Sequence, residues 1–203
     1  MKLFPNPKTL IFSKEKMNSQ KISKVTSSFD EHFNNLLYQM FEVNQKEGIP
    51  LMIEKSDDIT NYEGYKLKIE KEVITIIAKQ PNGAFYGLLT LRDILNSDNQ
   101  LCLEIEDYPD LAVRGVMLDI SRSKVPTLDT LKKLVVMFAT LRYNHLELYI
   151  EGFSFEYQSF KHLLSDNNYL CLQDYLELEK FAQEYYIDFV PNQNGFGHMS
   201  DWL

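Results

Sequence analysis

The chain has 203 residues, 44% hydrophobic and 25% charged, which is ordinary globular usage and enough length for one or two domains with a real core. A net charge of −8 disfavours nucleic acid and anionic membranes as partners, leaves a neutral sugar indifferent, and serves equally well as a solubilising surface. The only cysteines, Cys102 and Cys171, are too far apart for a disulfide framework or a zinc pattern, and both read as small buried residues.

The segment from Met1 to Pro7 has no apolar stretch of the secretory kind, and no apolar run approaches the ~18 residues of a membrane span. A cytoplasmic location is the default expectation. Thr9 to Phe12 reads as a short first strand. A helix follows, with Phe29, Phe33, Leu36, Leu37, Met40 and Phe41 at helical spacing, Ser28 and Glu31 at capping-box spacing, and Gly48 and Pro50 closing it. Pro50 to Glu54 is a strand. Gly64 to Glu70 and Val73 to Lys79 alternate with period two and form a hairpin turning at Glu70 to Glu72. Pro81-Asn82-Gly83 opens a second helix with Ala84, Leu88, Leu91 and Leu95 on one face, and Leu101 to Glu106 is a further strand. The turn cluster Asp107-Tyr108-Pro109-Asp110 marks a boundary. Residues 1–108 are therefore expected to be an α+β domain with a largely antiparallel sheet.

Residues 109–203 alternate strand and helix. The strand Val113 to Asp119 reads as buried and carries Arg114 near its start. Thr127 to Arg142 is amphipathic, preceded by Pro126. His145 to Ile150 is a strand, Leu172 to Tyr186 a helix and Ile187 to Pro191 a third strand. This order predicts parallel pairing, in an open doubly wound sheet or a (β/α)₈ barrel. No glycine-rich phosphate loop follows the first strand, which disfavours the nucleotide-binding form. A barrel needs roughly 250 residues, so about three of its βα units fit here, as an incomplete TIM barrel.

Barrel enzymes place their chemistry at the carboxyl ends of the strands. Three clusters fall there: Asp119, Ser121 and Arg122; Glu151; and the amide- and glycine-rich run Pro191 to Met199, with Asn194 and His198, whose groups suit sugar hydroxyls. Each has a structural alternative. Arg114 could pair with a nearby acid, Asp119 and Arg122 could form an ion pair capping a loop, and Glu151 and His198 could be surface residues. Phe153, Phe155, Tyr157 and Phe160 could stack on a sugar or pack on one another. His145 and Glu147 alternate within a strand and read as facing a polar lumen or the next strand. No two histidines stand at metal-ligand spacing, and neither metal nor cofactor is expected.

Arg114-Gly115-Val116-Met117-Leu118-Asp119-Ile120-Ser121-Arg122 resembles the first barrel strand of family 20 glycoside hydrolases, the β-N-acetylhexosaminidases. Tyr143-Asn144-His145-Leu146-Glu147-Leu148-Tyr149 resembles the second strand, Gly197-His198 the end of the third, and Gly83 to Leu91 the helix of the small domain before the barrel. The resemblance implies that Arg114 hydrogen-bonds the sugar, with Glu151 and His198 lining the same pocket and Asp119, Arg122 and Asn194 in support. It implies retaining, substrate-assisted hydrolysis of terminal β-linked N-acetylhexosamine, an exception to the two-carboxylate scheme. In the family, an aspartate orienting the 2-acetamido group and a glutamate acting as acid stand together as Asp-Glu. Here the only such dipeptide is Asp30-Glu31, in the small domain, so this stretch alone is expected to be inactive. Glu151-Gly152-Phe153 replaces a double acid and tryptophan of many members, and Asn194 replaces an acid, which suggests divergent specificity. Two other readings stay open: a non-catalytic carbohydrate-binding or interaction module, and a related barrel glycosidase for another sugar. Exposed strand edges of an unfinished barrel would favour self-association.

Overall fold

The structure, a computed structural model, describes residues 2–44, 46–122, 124–152, 154–164 and 169–197. It divides into two compact units, Met1–Asp110 and Leu111–Leu203.

The first unit is a six-stranded sheet with two helices. Its elements are β1 (Thr9–Lys16), β2 (Ile22–Ser27), α1 (Glu31–Met40), β3 (Ile49–Lys55), β4 (Tyr65–Ile69), β5 (Ile74–Ala78), α2 (Pro81–Leu95) and β6 (Leu101–Asp107). The sheet runs β1-β6-β4-β5-β3-β2. Antiparallel pairing joins β1 to β6, β6 to β4 and β4 to β5, whereas β5–β3 and β3–β2 are parallel. The sheet is therefore mixed, and the expectation of a largely antiparallel one is corrected. The reason is β2, an edge strand absent from the sequence reading. With α1 as its crossover it forms a β–α–β unit, which returns parallel. Ile22 is its only fully buried residue, so the strand lacks a strong apolar signature.

Burial follows the alternation of the hairpin. Leu67 and Ile69 of β4, Ile74 and Ile76 of β5 and Ile105 of β6 are buried on one face, with Leu88 and Leu91 of α2 buried as well. The opposite face is charged: Lys66 stands beside Glu106 in register, and Lys68 beside Glu104. Period two puts all the apolar side chains on the covered face at once.

Both helix starts differ in detail from what the sequence suggests. α1 is capped by Asp30, whose carboxylate accepts from the Phe33 N–H at 3.0 Å. Ser28 lies too far ahead of Glu31 to cap the helix and is still tied to β3, its N–H donating to the Ile53 carbonyl at 2.9 Å. α2 begins with Pro81 and has no side-chain cap from Gln80. Instead the buried carboxylate of Glu63 accepts from Tyr86 Oη at 3.1 Å and from Asn82 Nδ2 at 3.4 Å in its first turns, placing negative charge at the positive end of the helix. Gly83 permits this approach, since a Cβ there would lie 2.6 Å from the Gly64 carbonyl oxygen.

The second unit contains β7 (Gly115–Asp119), α3 (Leu128–Thr140), β8 (His145–Ile150), a short 3₁₀ helix (Gln158–Leu163), α4 (Leu172–Glu184) and β9 (Asp188–Gln193). The strands form one parallel sheet in the order β7-β8-β9. Pro126 precedes α3 and Thr127 caps it, accepting from the Thr130 N–H at 3.3 Å. Cys171 is half-buried, not buried as expected. It caps α4 in a capping box with Asp174, the Asp174 N–H reaching its Sγ at 3.4 Å. β9 extends through Asn192 and Gln193, two residues beyond the strand end expected at Pro191. β7 is half-exposed where a buried strand was expected. Among the described residues no helix is long and apolar enough to cross a membrane.

Candidate functional site

Alternation makes the second sheet two-faced. Leu146, Leu148 and Ile150 of β8 are buried, while His145, Glu147 and Tyr149 between them are half-buried. Register then aligns Gly115 with His145 and Asp188, Met117 with Glu147 and Val190, and Asp119 with Tyr149 and Asn192. Residues paired across a sheet share a face. One face therefore carries a carboxylate, a phenol and an amide in its last row, and an imidazole and a carboxylate below them.

At the carboxyl end of β7, Asp119 Oδ1 accepts from the Ser121 N–H at 2.9 Å and the Ser121 hydroxyl at 2.7 Å. These bonds, with Arg122 behind them, hold the Asp119 carboxyl below its ordinary range. Arg122 forks between two carboxylates: one nitrogen pairs with Asp119, and Nη2 donates to Glu151 Oε2 at 2.8 Å. The Asp119 contact raises the arginine further above its already high range. Glu151 follows β8 directly, and its side chain is only 15% exposed. Its Oε2 also accepts from Tyr149 Oη at 3.0 Å. That phenol in turn accepts from Asn194 Nδ2 at 2.9 Å, and Asn194 Oδ1 accepts from the Gly197 N–H at 3.1 Å. One connected network thus joins the chain segments after β7, β8 and β9.

A second polar group lies one row lower. His145 Nε2 and Glu147 Oε1 are 2.9 Å apart, and Asn192 Nδ2 donates to Glu147 Oε2 at 2.7 Å. The His145 and Asn192 contacts hold the Glu147 carboxyl below its usual range. Gly115 gives the imidazole room, since a Cβ there would come within 3.0 Å of its ring. His145 and Glu147 were expected to face a polar lumen or the next strand; they pair with each other, and Glu147 also bonds Asn192 on the neighbouring strand β9.

Beyond β8 the chain makes an excursion closed at its base, where the Leu170 N–H donates to the Ser154 carbonyl at 2.9 Å. Tyr157 Oη donates to Gln193 Oε1 at 2.5 Å, tying this excursion to β9. Phe155 stacks edge-on with Tyr157 and Tyr175, and Tyr175 leans on Phe189. Burial in this aromatic cluster pushes the Tyr175 phenol up to about 12. Phe155 and Tyr157 therefore pack locally, Phe160 is 45% exposed, and Phe153 lies outside the described residues.

Of the residues singled out from sequence, Asp119, Arg122, Glu151 and Asn194 come together. His198 lies outside the described residues. Arg114 does not join them. It precedes β7, at the end of the strand opposite Asp119, and its guanidinium donates to backbone carbonyls, Nε to Arg142 at 2.7 Å and Nη1 to Leu111 at 2.7 Å. Four residues of strand, Gly115 to Leu118, at about 3.3 Å each, stand between it and Asp119. Tyr149 was not singled out as a site residue, Glu147 was read only as facing a lumen or the next strand, and Asn192 entered only as part of the run Pro191 to Met199. The available signal was the period-two spacing of His145, Glu147 and Tyr149, three polar or amphipathic side chains on one strand face. Among the described residues no group of three or more His, Cys, Asp and Glu is placed to hold a metal ion.

The profile described as "Glycosyl hydrolase family 20, domain 2" matches residues 1–108. A beta-hexosaminidase of Porphyromonas gingivalis is 33% identical over 99 residues, covering 43% of this chain and 13% of that protein. The Streptomyces plicatus N-acetyl-beta-hexosaminidase structure superposes with a TM-score of 0.83 at 21% identity, covering 99% of this chain and 47% of that one. The Bacteroides fragilis beta-N-acetylhexosaminidase gives 0.81 at 20% identity, with 99% and 46% covered. The α+β architecture with its mixed sheet is thus that of these structures. The chain spans less than half the length of these relatives.

Proposed function

This chain belongs to glycosyl hydrolase family 20, and from that premise we propose that it is the N-terminal part of an enzyme removing terminal β-linked N-acetylhexosamine from glycans. In this reading residues 1–108 are the small α+β domain, and 109–203 supply the first three βα units of a catalytic (β/α)₈ barrel. The observation that carries it is the network at the carboxyl ends of three consecutive parallel strands, where barrel enzymes bind substrate. A mostly buried carboxylate held by a guanidinium and a phenol is a rigid acceptor for sugar hydroxyls.

Glu151 binds the sugar, with Arg122 as the arginine of the pocket and Asp119 and Asn194 fixing it. By the family resemblance His198, in the run Pro191 to Met199, would line the same pocket. Arg114, with its guanidinium engaged by carbonyls, serves as an anchor at the opposite end of β7. The reaction is retaining: the substrate's acetamido oxygen attacks C1 as the aglycone oxygen takes a proton and leaves, and water then opens the cyclic intermediate. The residues that orient the acetamido group and deliver that proton are the family's Asp-Glu pair, which this sequence does not contain after Arg114. We therefore assign no turnover to these 203 residues by themselves.

The test is an assay of the full-length gene product and of residues 1–203 on two aryl glycosides, one an N-acetyl-β-glucosaminide and one a plain β-glucoside. The expected result is hydrolysis of the acetamido sugar alone, by the longer protein alone. Equal rates on the plain glucoside would overturn substrate assistance, and turnover by residues 1–203 would overturn the division of labour. If immunoblots of source cells showed only a species of this size, the carbohydrate-binding reading would replace the enzymatic one.

A further inference from the structure

We infer that Tyr149 is a positioning residue for Glu151, coupling it to the chain segment after β9. The inference rests on the hexosaminidase reading for its catalytic consequence, and on three observed hydrogen bonds for its geometry. Tyr149 Oη donates its single proton to Glu151 Oε2 at 3.0 Å and accepts from Asn194 Nδ2 at 2.9 Å. Asn194 spends its other end on the Gly197 N–H at 3.1 Å. The phenol thus uses its donor on one segment and an acceptor site on the other.

The direction of the bonds matters. Asn194 Nδ2 can only donate, so the phenol must accept there and its proton is left for the carboxylate. A glutamate on a strand end has three rotatable side-chain bonds, and Arg122, itself 59% exposed, is a mobile partner for holding it. Tyr149 is a ring on the sheet itself, in register between Asp119 and Asn192, with two rotatable bonds. It is the stiffer of the two donors on Glu151 Oε2, and it fixes the carboxylate relative to the sheet. The alternative, a tyrosine that merely fills space on the inner face, requires neither bond.

The experiment is a double-mutant cycle in the full-length enzyme with Tyr149→Phe and Glu151→Gln, on the aryl N-acetyl-β-glucosaminide. Phenylalanine keeps the ring and removes both hydrogen bonds. Y149F alone is expected to lower kcat/KM about tenfold, and E151Q alone about a hundredfold. If Tyr149 acts through Glu151, the double variant matches E151Q to within about twofold. Losses that simply multiply, or a Y149F variant as active as wild type, overturn the inference.

Hydrogen exchange gives a second readout that needs no turnover. Y149F is expected to speed exchange in the peptide spanning Asn194 to Gly197 about fivefold or more, with β4 and β5 unchanged as internal reference. Unchanged protection there would overturn the coupling. A wild-type protein inactive on the acetamido sugar would instead overturn the proposed function, and the exchange result would still decide the link from Tyr149 to Asn194.

Discussion

The two units use polar side chains in opposite ways. In the first, every alternate residue of β4 and β5 is apolar and buried, and the buried polar groups complete the scaffold. Tyr65 Oη lies 2.6 Å from Thr90 Oγ1 and 3.4 Å from Asp107, binding strand to helix, and Glu63 serves the start of α2. In the second unit the buried half of β8 is equally apolar, but the other half carries His145, Glu147 and Tyr149 in hydrogen bonds along β8, to Glu151 just after it and to Asn192 of β9. Buried polar groups that close a helix end or a strand junction are explained by the fold. Polar groups lined along one face of a three-stranded parallel sheet close no helix end or strand junction, and the proposed sugar site accounts for them.

The largest expected effect tests the apolar side of that contrast. Ile76→Ala removes a fully buried side chain from the centre of the first unit and should cost about 2–5 kcal/mol in urea denaturation, by transfer and cavity terms together. Met117→Ala, on the polar face of the second unit where Met117 is 60% exposed, should cost less than about 1 kcal/mol. A penalty for Met117 approaching that for Ile76 would mean the second face is a core after all.

Gly83→Ala comes next, with a sign opposite to propensity. Alanine within a helix is normally favoured over glycine by about 1 kcal/mol. Here the added Cβ would stand 2.6 Å from a backbone oxygen, so helix and loop must separate, and a net loss of about 1–3 kcal/mol is expected. A thermal melt showing Gly83→Ala equal to or above wild type would remove the argument that Glu63 and the first turn of α2 are held by close backbone approach.

Much of this architecture was legible in the sequence, for reasons that differ between elements. The hairpin of β4 and β5 and the helix α3 carry their own periodicity, so local pattern and final fold agree. β2 was not legible because five of its six residues are only partly buried or exposed, and its pairing depends on β3. The α1 cap was displaced from Ser28 to Asp30 because Ser28 is still bonded to the Ile53 carbonyl of β3 and the helix begins only at Glu31. At the site, Asp119, Arg122, Glu151 and Asn194 could be read from their places at strand ends. Tyr149 could not, because its role is set by the register that puts it between Asp119 and Asn192. Arg114 was read from the sequence near the start of its strand, and the structure has it just before β7, with its guanidinium on backbone carbonyls.

A smaller effect concerns acid. The folded state holds Asp119 below its ordinary pKa, first through the Ser121 N–H and hydroxyl, and Glu147 below its own through His145 and Asn192. A carboxyl harder to protonate when folded adds stability above its unfolded pKa, near 4 for both. That contribution is lost as pH falls from about 4 through the lower folded value. Asp119→Asn paired with Glu147→Gln should therefore lower stability at neutral pH while flattening its decline between about pH 4 and pH 2. The flattening should appear in exchange from β8 and not in β4 or β5. An acid limb of unchanged slope would mean these carboxylates are no better held than in the unfolded chain.

The smallest effect separates surface charge from burial in the second unit. Lys132 on α3 lies 2.5 Å from Glu177 on α4 and sits over the Phe181 ring at 5.4 Å, so it could be taken for the clasp between the two helices. Glu177 is 48% exposed, and an ion pair so wetted is worth about 0–1 kcal/mol. Leu131, Val135, Leu178 and Ala182 are meanwhile fully buried on the same helices. Lys132→Met, which keeps most of the aliphatic stem and loses the charge, should change stability by less than about 0.5 kcal/mol, and the change should shrink further in 1 M salt. A larger, salt-sensitive loss would mean that charge, and not burial, joins α3 to α4, and the second unit would then differ from the first in its packing as well as in its polar face.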